Sequence, residues 1–254
     1  MLFFESLLVA LSTYSTVPVP QFEWNERNMK YAICFLPAVG IICAVILFLW
    51  YKLCLILGVS ALLFSAVAVC LPLLISGGIH MDGYMDTVDA LASHQSPERK
   101  LEIMKDPHCG AFAVIYCGVY LLAQLGFMYE LYSLGLIAAL CPVFVLSRAL
   151  AGICAVNIPN ARKKGMLYSY TKDTQKHNCN LAFAVSAILA ALAVLLWAPL
   201  PGVMALAFAL MSLLFYKRLV MKNFGGATGD TTGFFLQVCE FALMLGLWTG
   251  GVLL

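Results

Sequence analysis

The feature that most constrains this chain is a succession of long apolar runs extending from one end to the other. A transmembrane helix needs about 20 mainly apolar residues. Only 11% of the 254 residues are charged, against about 25% in soluble domains. The runs of spanning length cover 31–57, 59–79, 111–128, 133–156, 180–198, 203–221 and 233–254. The sequence therefore predicts one domain over 1–254, an all-α polytopic transmembrane bundle of about seven spanning helices.

Residues 2–17 form a weaker apolar segment ahead of these runs. The segment carries Glu5 and a Ser-Thr-Tyr-Ser-Thr sequence before Pro18. No positively charged region precedes it, so we expect it to stay in the mature chain. The sequence allows it to span the membrane, to re-enter it or to lie at the interface.

The basic residues predict the topology. Of the 15 Lys and Arg residues, 13 lie in or beside the four long connections at 18–30, 80–110, 157–179 and 222–232. Tight turns are expected near Gly58, Tyr129–Glu130 and 199–202. The positive-inside rule places the long connections in the cytoplasm. A net charge of +2 spread over these loops does not favour a nucleic acid partner.

The ten cysteines are scattered, mostly within apolar runs, and no CxxC pair occurs. This pattern favours reduced thiols packed between helices and supports neither a zinc site nor a redox pair.

Residues 76–110 contain the most informative polar sequence. Asp82, Asp86 and Asp89 are spaced i, i+4 and i+7, with His80 just before them. On a helix this spacing places the three carboxylates along one face. Three like charges so close together favour a cation between them, and oxygen ligands favour Mg²⁺ over zinc. The alternative is a solvated helix face, but the intervening residues are not the Lys and Glu of such a face.

A Gly-rich loop at 222–233 leads into the last apolar run. Gly225, Gly226 and Gly229 would let the backbone approach a ligand, and the N–H groups of a following helix favour phosphate. Asp230 is a candidate for a further metal ligand. A plain interhelical turn is the alternative.

Three further charged residues are candidates for binding substrate. Lys105 and Asp106 follow a predicted amphipathic helix that begins at Pro97, where an interfacial charge pair is equally consistent. Arg148 lies inside an apolar run and requires an anionic partner, either an acid of the protein or a substrate phosphate.

Together these motifs resemble the cobalamin synthase family, the adenosylcobinamide-GDP ribazoletransferases, across nearly the whole chain. The resemblance rests on motif order and spacing. Its strongest parts are Gly77–Asp89, Leu101–Asp106 with Gly110, Ser147–Arg148, Ala161–Arg162 with Gly165, and Gly225–Gly233.

The resemblance implies an Mg²⁺-dependent enzyme of the prokaryotic inner membrane, with its site on the cytoplasmic face. It would join adenosylcobinamide-GDP to α-ribazole, or to its 5′-phosphate, and release GMP. In this interpretation Asp82, Asp86 and Asp230 bind the metal, and Asp89 or His80 takes the proton from the ribazole. Substrate would be bound by Lys105, Asp106, Arg148, Arg162, Gly225, Gly226 and Gly229. The lipid bilayer and a second copy of the chain are the other expected partners.

Two other functions remain open from the sequence. A CDP-alcohol-type lipid phosphotransferase also sets aspartates near Asp-Gly on membrane helices, but the Ala-Arg expected shortly after Asp-Gly is absent. An ion-coupled transporter would carry its acids near the midplane and contain an inverted repeat, and neither is visible.

Overall fold

A computed structural model describes residues 2–20, 26–172 and 174–253, and its regular elements are helices. In chain order they are α1 (Leu2–Tyr14), α2 (Glu26–Ala32), a 3-10 turn (Ile33–Phe35), α3 (Leu36–Leu57), α4 (Ala61–Ser76), α5 (Ile79–Ala92), α6 (Pro97–Ile103), α7 (Ala111–Ser133), α8 (Ile137–Leu140), α9 (Val143–Asn157), α10 (Met166–Thr171), α11 (Lys176–Trp197), α12 (Pro199–Phe224) and α13 (Gly229–Val252).

The predicted multi-pass membrane fold is confirmed. Within the described residues, six helical stretches are long and apolar enough to span a membrane: Met29–Leu57, Ala111–Ser133, Ile137–Asn157, Lys176–Trp197, Pro199–Phe224 and Gly229–Val252. The run expected at 59–79 is α4, which meets α5 at a 94° bend, and counting this bent pair gives seven spans. Gly77 and Gly78 make the bend with φ of 63° and 79°, a conformation that glycine adopts without a Cβ penalty.

Two of the expected tight turns are present but lie at other residues than predicted. Helix α7 continues through Tyr129 and Glu130 to Ser133, and the turn comes at Leu134–Leu136. Helix α12 begins at Pro199 instead of after a 199–202 loop. Pro199 suits the first turn of α12 because the N–H that proline lacks would have no partner there. Glu130 is tolerated in α7 because polar side chains are accommodated where a helix leaves the hydrocarbon.

Helix α1 has 13 residues, which corresponds to about 20 Å and is shorter than the roughly 30 Å hydrocarbon core. It is a shorter apolar helix than the six stretches of spanning length. It packs against α2 and α3, and Thr13 Oγ1 lies 2.6 Å from Tyr170 Oη on α10. The helix is therefore fixed to the bundle at its C-terminal end.

Three of the long connections, at 80–110, 157–179 and 222–232, meet on one side of the bundle, which we call the loop face. Ala161 N donates to Ala227 O over 2.9 Å, and Ala227 N donates to Pro159 O over 2.8 Å. Lys100 Nζ donates to Asn223 Oδ1 over 2.7 Å and so joins α6 to the end of α12. The loop face thus brings together three segments that are far apart in sequence.

Helices α9 and α13 form the centre of the bundle, and α13 packs against α5, α7, α9 and α12. The outer helices expose large apolar side chains, among them Leu49, Leu122, Leu192 and Leu214. An apolar exterior of this extent suits a lipid environment.

The expectation that all cysteines are reduced is wrong for one pair. Cys34 and Cys179 form a disulfide between the 3-10 turn and α11, 145 residues apart in sequence. The other eight cysteines are free. No local spacing signals this pair because tertiary packing alone brings the two segments together.

Candidate functional site at the loop face

Helices α5 and α13 approach so closely at the loop face that glycines form the contact. A Cβ atom at Gly83 would lie 2.7 Å from the backbone oxygen of Asp230, and one at Gly233 would lie 3.1 Å from that of His80. Both separations are shorter than ordinary packing contacts, so larger residues would push the helices apart. The glycines of the two motifs therefore bring the acids of α5 next to Asp230.

The start of α13 is shaped by its threonines. Thr228 Oγ1 accepts a hydrogen bond from Thr231 N over 3.1 Å, and Thr231 Oγ1 accepts one from Thr228 N over 2.8 Å. This reciprocal capping satisfies backbone N–H groups that the helix leaves without partners. Asp230 follows in the first turn, where the helix dipole stabilises a carboxylate.

The predicted convergence of acids is present. The carboxylate of Asp86 is half-buried and interacts electrostatically with those of Asp82, Asp89 and Asp230, and with the Arg162 guanidinium. Asp82, Asp86 and Asp89 form no ion pair with a described residue. The described residues contain no group of three His, Cys, Asp or Glu side chains already placed to ligate one ion. The site thus brings several negative charges near one another, but their side chains are not already arranged around one metal ion.

Asp89 lies at the edge of this group of acids. Its carboxylate packs against the α-carbon of Gly110, the residue that caps α7. A side chain at position 110 would occupy the same space. Asp89 therefore faces the N-terminus of α7, where the dipole favours a negative charge, and it lines neither of the cavities described below.

His80 lies under the acids with 7% of its surface exposed, and its Nε2 has no hydrogen-bond partner among the described residues. The ring stacks on Tyr14, with centroids 6.3 Å apart and planes 17° apart. Helix α1 thus contributes an aromatic wall to the site. An unpaired buried nitrogen is costly unless a ligand or water satisfies it.

The Gly-rich loop folds back on the segment that follows α9. The backbone of Gly226 packs against the carbonyl of Pro159, which leaves no room for a side chain. Gly225 ends α12 with a φ of 69°. Only Gly229 of the three predicted glycines lines a cavity of the site. Gly225 and Gly226 therefore shape the loop, and Gly229 is the one placed to meet a ligand.

Arg162 connects the basic loop to the acids. Its guanidinium donates to the carbonyl oxygen of Leu101 in α6, and its charge acts on both Asp86 and Asp230. Its Nε is buried without a partner among the described residues. Arg162 therefore lies at a position that suits the substrate-binding role predicted for it from the sequence.

Lys105 and Asp106 are exposed in the turn after α6 and line neither cavity. Asp106 accepts hydrogen bonds from the backbone N–H of His108 over 3.0 Å and from its ring over 2.7 Å. These bonds hold the pKa of Asp106 below its ordinary value. The structure therefore does not bring this pair into the candidate site.

Arg148 is 1% exposed, and its guanidinium donates to Glu240 Oε1 over 2.6 Å. It also donates to the carbonyl of Phe144 over 3.0 Å, and Ser147 Oγ donates to the same Glu240 oxygen over 3.1 Å. The sequence left open whether the anionic partner of Arg148 is an acid of the protein or a substrate phosphate. In the structure the partner is an acid of the protein, Glu240. The pair links α9 to α13 beneath the site.

We expect Arg148→Met to lower the free energy of unfolding by about 3–5 kcal/mol, because it leaves the Glu240 charge buried and unpaired. The double variant Arg148→Met/Glu240→Leu should recover most of that loss. Thermal unfolding in detergent measures both. A stable Arg148→Met protein with weakened substrate binding would instead assign Arg148 to the substrate.

A polar cavity of about 250 Å³ lies between the basic loop and the start of α13. Arg162 and Lys164 supply positive charge, and Asn160 Oδ1 is a buried acceptor without a partner among the described residues. The remaining lining comes from Met104, Gly165, Met166, Leu167, Tyr168, Ala227, Thr228, Gly229 and Asp230. Cationic side chains and backbone near a helix N-terminus suit a phosphate ligand.

An apolar cavity of about 190 Å³ lies on the other side of Gly229 and Asp230. Its polar side comes from α5 and α13, which contribute His80, Asp82, Asp230 and Thr232. Its apolar side comes from the 3-10 turn, α3, α9, α10 and α13, which contribute Ile33, Leu36, Ala151, Ala155, Met166, Leu167 and Leu236. Four residues border both cavities: Met166, Leu167, Gly229 and Asp230.

Sequence reasoning missed several residues of this region. Tyr14 and Asn160 lie outside the sequence motifs, and only packing brings them to the cavities. Thr232 lies within the Gly225–Gly233 motif, but its place in the lining of the apolar cavity was not predicted. Glu240 did carry a signal, since a buried Arg148 requires an acid and α13 holds only Asp230 and Glu240. Lys164 is not among the site residues predicted from the sequence, but it lines the polar cavity.

Comparison with known proteins gives one consistent result. The cobalamin-5-phosphate synthase family matches residues 6–248. An adenosylcobinamide-GDP ribazoletransferase from Lachnoclostridium phytofermentans is 41% identical over 95% of this chain and 92% of its own length. Proteins with the same name from Desulfitobacterium hafniense and Clostridium botulinum are 34% and 32% identical, over 94% and 93% of this chain and 95% and 94% of their own lengths respectively.

No solved structure is detectably similar to this chain. The matches extend over nearly the full length and favour the transferase over the lipid phosphotransferase and the transporter.

Proposed function

The chain belongs to the cobalamin-5-phosphate synthase family, and from this membership and the geometry of the loop face we propose its reaction. The enzyme transfers the cobinamide-linked phosphate of adenosylcobinamide-GDP to a hydroxyl of α-ribazole, or of α-ribazole 5′-phosphate. A new P–O bond forms to the ribose oxygen, the bond to the leaving phosphate breaks, and GMP and a proton are released.

One observation carries this proposal: two cavities of different chemistry share a wall made by Gly229, Asp230, Met166 and Leu167. A group transfer between two large substrates requires both reacting ends to meet, within about 3–3.5 Å. The polar cavity suits the diphosphate and the apolar cavity suits a neutral partner. Asp230 lies in the shared wall, and Asp82 lies in the lining of the apolar cavity.

In this proposal, different residues bind the diphosphate and remove the proton. Arg162 and Lys164 bind the diphosphate from the polar cavity and offset charge that grows on the leaving phosphate. Gly229 lines both cavities, and because it has no side chain a phosphate oxygen can approach its backbone. Of the two proton acceptors suggested by the sequence, His80 lines the apolar cavity and Asp89 lines neither. We therefore assign proton removal to His80.

The donor chemistry of Asp230 and the acids of α5 fits Mg²⁺. Asp82, Asp86 and Asp230 offer carboxylate oxygens, which Mg²⁺ prefers, and among the described residues Arg162 is the cation that acts on Asp86 and Asp230. These three residues would hold the ion. When bound, it would neutralise charge on the reacting phosphate oxygens.

We also propose that the loop face is cytoplasmic and that the membrane is the inner membrane of a prokaryote. The concentration of 13 of the 15 Lys and Arg residues in or beside the four long connections supports this orientation. Lipid contacts the apolar exterior. A homo-oligomer would form through that same exterior.

The test of the reaction is incubation of the detergent-purified protein with adenosylcobinamide-GDP, α-ribazole and Mg²⁺. We expect GMP and the complete cobamide to appear together by mass spectrometry, and EDTA to stop both. α-Ribazole 5′-phosphate is tested in parallel as the acceptor. If folded protein forms neither product with either acceptor, the proposed reaction is wrong.

Substitutions in the basic loop test the polar cavity. We expect Arg162→Ala and Lys164→Ala each to raise the KM for adenosylcobinamide-GDP about tenfold or more, since each removes a charge-assisted phosphate contact. The KM for α-ribazole should stay nearly unchanged. Lys163→Ala is the matched control, because Lys163 is exposed and lines neither cavity. Equal effects at all three positions would point to nonspecific electrostatic attraction instead of a phosphate site.

A further inference from the structure

The apolar cavity is lined on one side by small residues of the central helix α9. Its floor is lined by Ala151 and Ala155, which lie one turn apart on α9 and are almost fully buried. Ile33 and Leu36 close one side. Small residues on a central helix create the space, and any larger side chain there would fill it.

The volume of this cavity restricts its occupant. An apolar cavity of about 150 Å³ holds one benzene molecule, and this one measures about 190 Å³. It therefore has room for a flat system of two fused rings. The corrin ring of the other substrate is far too large for it.

The charge of the lining restricts the occupant further. Among the described residues its lining includes two acids, Asp82 and Asp230, but no Lys or Arg, so it offers a phosphate no charge-assisted contact of the kind present in the polar cavity. A neutral aromatic ring suits the apolar side. The unpaired Nε2 of His80 gives a hydroxyl on that ligand a hydrogen-bond partner.

We propose that this cavity binds the aromatic base of the nucleoside substrate and that Ala151, Ala155 and Ile33 determine which base is accepted. The inference rests on the proposed transferase reaction. A benzimidazole-type base lies against the α9 floor, and its ribose extends toward His80 and Asp230. This places the nucleophilic hydroxyl at the wall shared with the polar cavity.

Filling the cavity tests the assignment. We expect Ala155→Leu to lower kcat/KM for the riboside of dimethylbenzimidazole about tenfold relative to that of imidazole, because the second ring loses its space. Ala151→Leu should also lower this ratio of kcat/KM values. The KM for adenosylcobinamide-GDP should not change. Ala193→Leu is the matched control, since Ala193 is a half-exposed alanine of α11 beside a lipid-facing groove.

Enlarging the cavity tests the same assignment, because it should favour larger bases where Ala151→Leu and Ala155→Leu disfavour them. This test still decides the question if the two leucine variants fail to fold. Ile33→Ala should improve the relative use of a riboside with a three-ring naphthimidazole base about fivefold or more. Unchanged base preference in Ala155→Leu and Ile33→Ala, with normal GMP release, would overturn the inference and leave the proposed reaction standing. Loss of co-purified phospholipid in Ala155→Leu without a change in base preference would assign the cavity to a lipid chain and also overturn it.

Discussion

We expect Asp82→Asn and Asp86→Asn each to reduce the rate of GMP release by about a hundredfold to a thousandfold, while the protein still folds. Each change keeps the shape of the side chain and removes one negative charge. Loss of one well-placed electrostatic group typically lowers the turnover rate by this factor. Asp82 is exposed and Asp86 half-buried at the loop face, and neither is in an ion pair with a described residue. Their charges are therefore available to a ligand and are not needed to hold helices together.

The measurement is GMP release at saturating substrates over a range of Mg²⁺ concentrations. If these acids hold the ion, the variants should need more Mg²⁺ for half-maximal rate, in addition to turning over slowly. Glu102→Gln is the matched control, because Glu102 is an exposed acid in α6 whose partner is Arg99. Thermal unfolding in detergent confirms that each variant is folded. Full activity in both aspartate variants would remove Asp82 and Asp86 from the metal site.

The membrane fold was largely predictable because the bilayer imposes a length and a composition on every span. The apolar runs identified the spanning helices, and the basic residues identified the connections that meet at the loop face. Helix ends were less predictable. A residue such as Glu130 looks like a loop residue in the sequence, yet it extends α7 where the helix leaves the apolar layer.

The acidic group was predictable because helical periodicity places Asp82, Asp86 and Asp89 on one face regardless of the rest of the fold. The Gly-rich loop made Asp230 a candidate ligand, but its position beside these acids depends on the contact of Gly83 with α13, which no periodicity within α5 indicates. Lys105 and Asp106 have a similar sequence signal but lie outside the cavities. Spacing along the chain does not determine in which direction a turn presents its side chains.

The cavities themselves were not predictable from the sequence. Their walls combine residues from α1, α3, α9 and α10, and no periodicity in one segment reveals its neighbour. Arg148 illustrates the same gap, since an intramembrane arginine signals a need for an anion without identifying it. The structure gives that anion as Glu240, which lies 92 residues further along the chain.

Gly83→Ala should lower the rate of GMP release about a hundredfold, because it separates the acids of α5 from Asp230. The added Cβ would lie 2.7 Å from the Asp230 backbone oxygen and 2.9 Å from its Cα. Both atoms belong to the backbone of a capped helix, so no side chain can rotate away to relieve the clash. The helices must move apart, and a displacement of about 1 Å at a reacting centre is enough for such a loss.

The distances at three glycines predict a graded series. Gly233→Ala should have a smaller effect than Gly83→Ala, since its Cβ would be 3.1 Å from the His80 oxygen. Gly118→Ala should retain activity and stabilise α7 by up to about 1 kcal/mol, because a Cβ there meets nothing within 4 Å. GMP release and the Mg²⁺ dependence of the rate, measured on all three variants, establish the order. A Gly83→Ala protein that is as active as Gly118→Ala would mean that catalysis does not depend on the close contact of α5 with α13, and the metal site would then have to be sought within α5 alone.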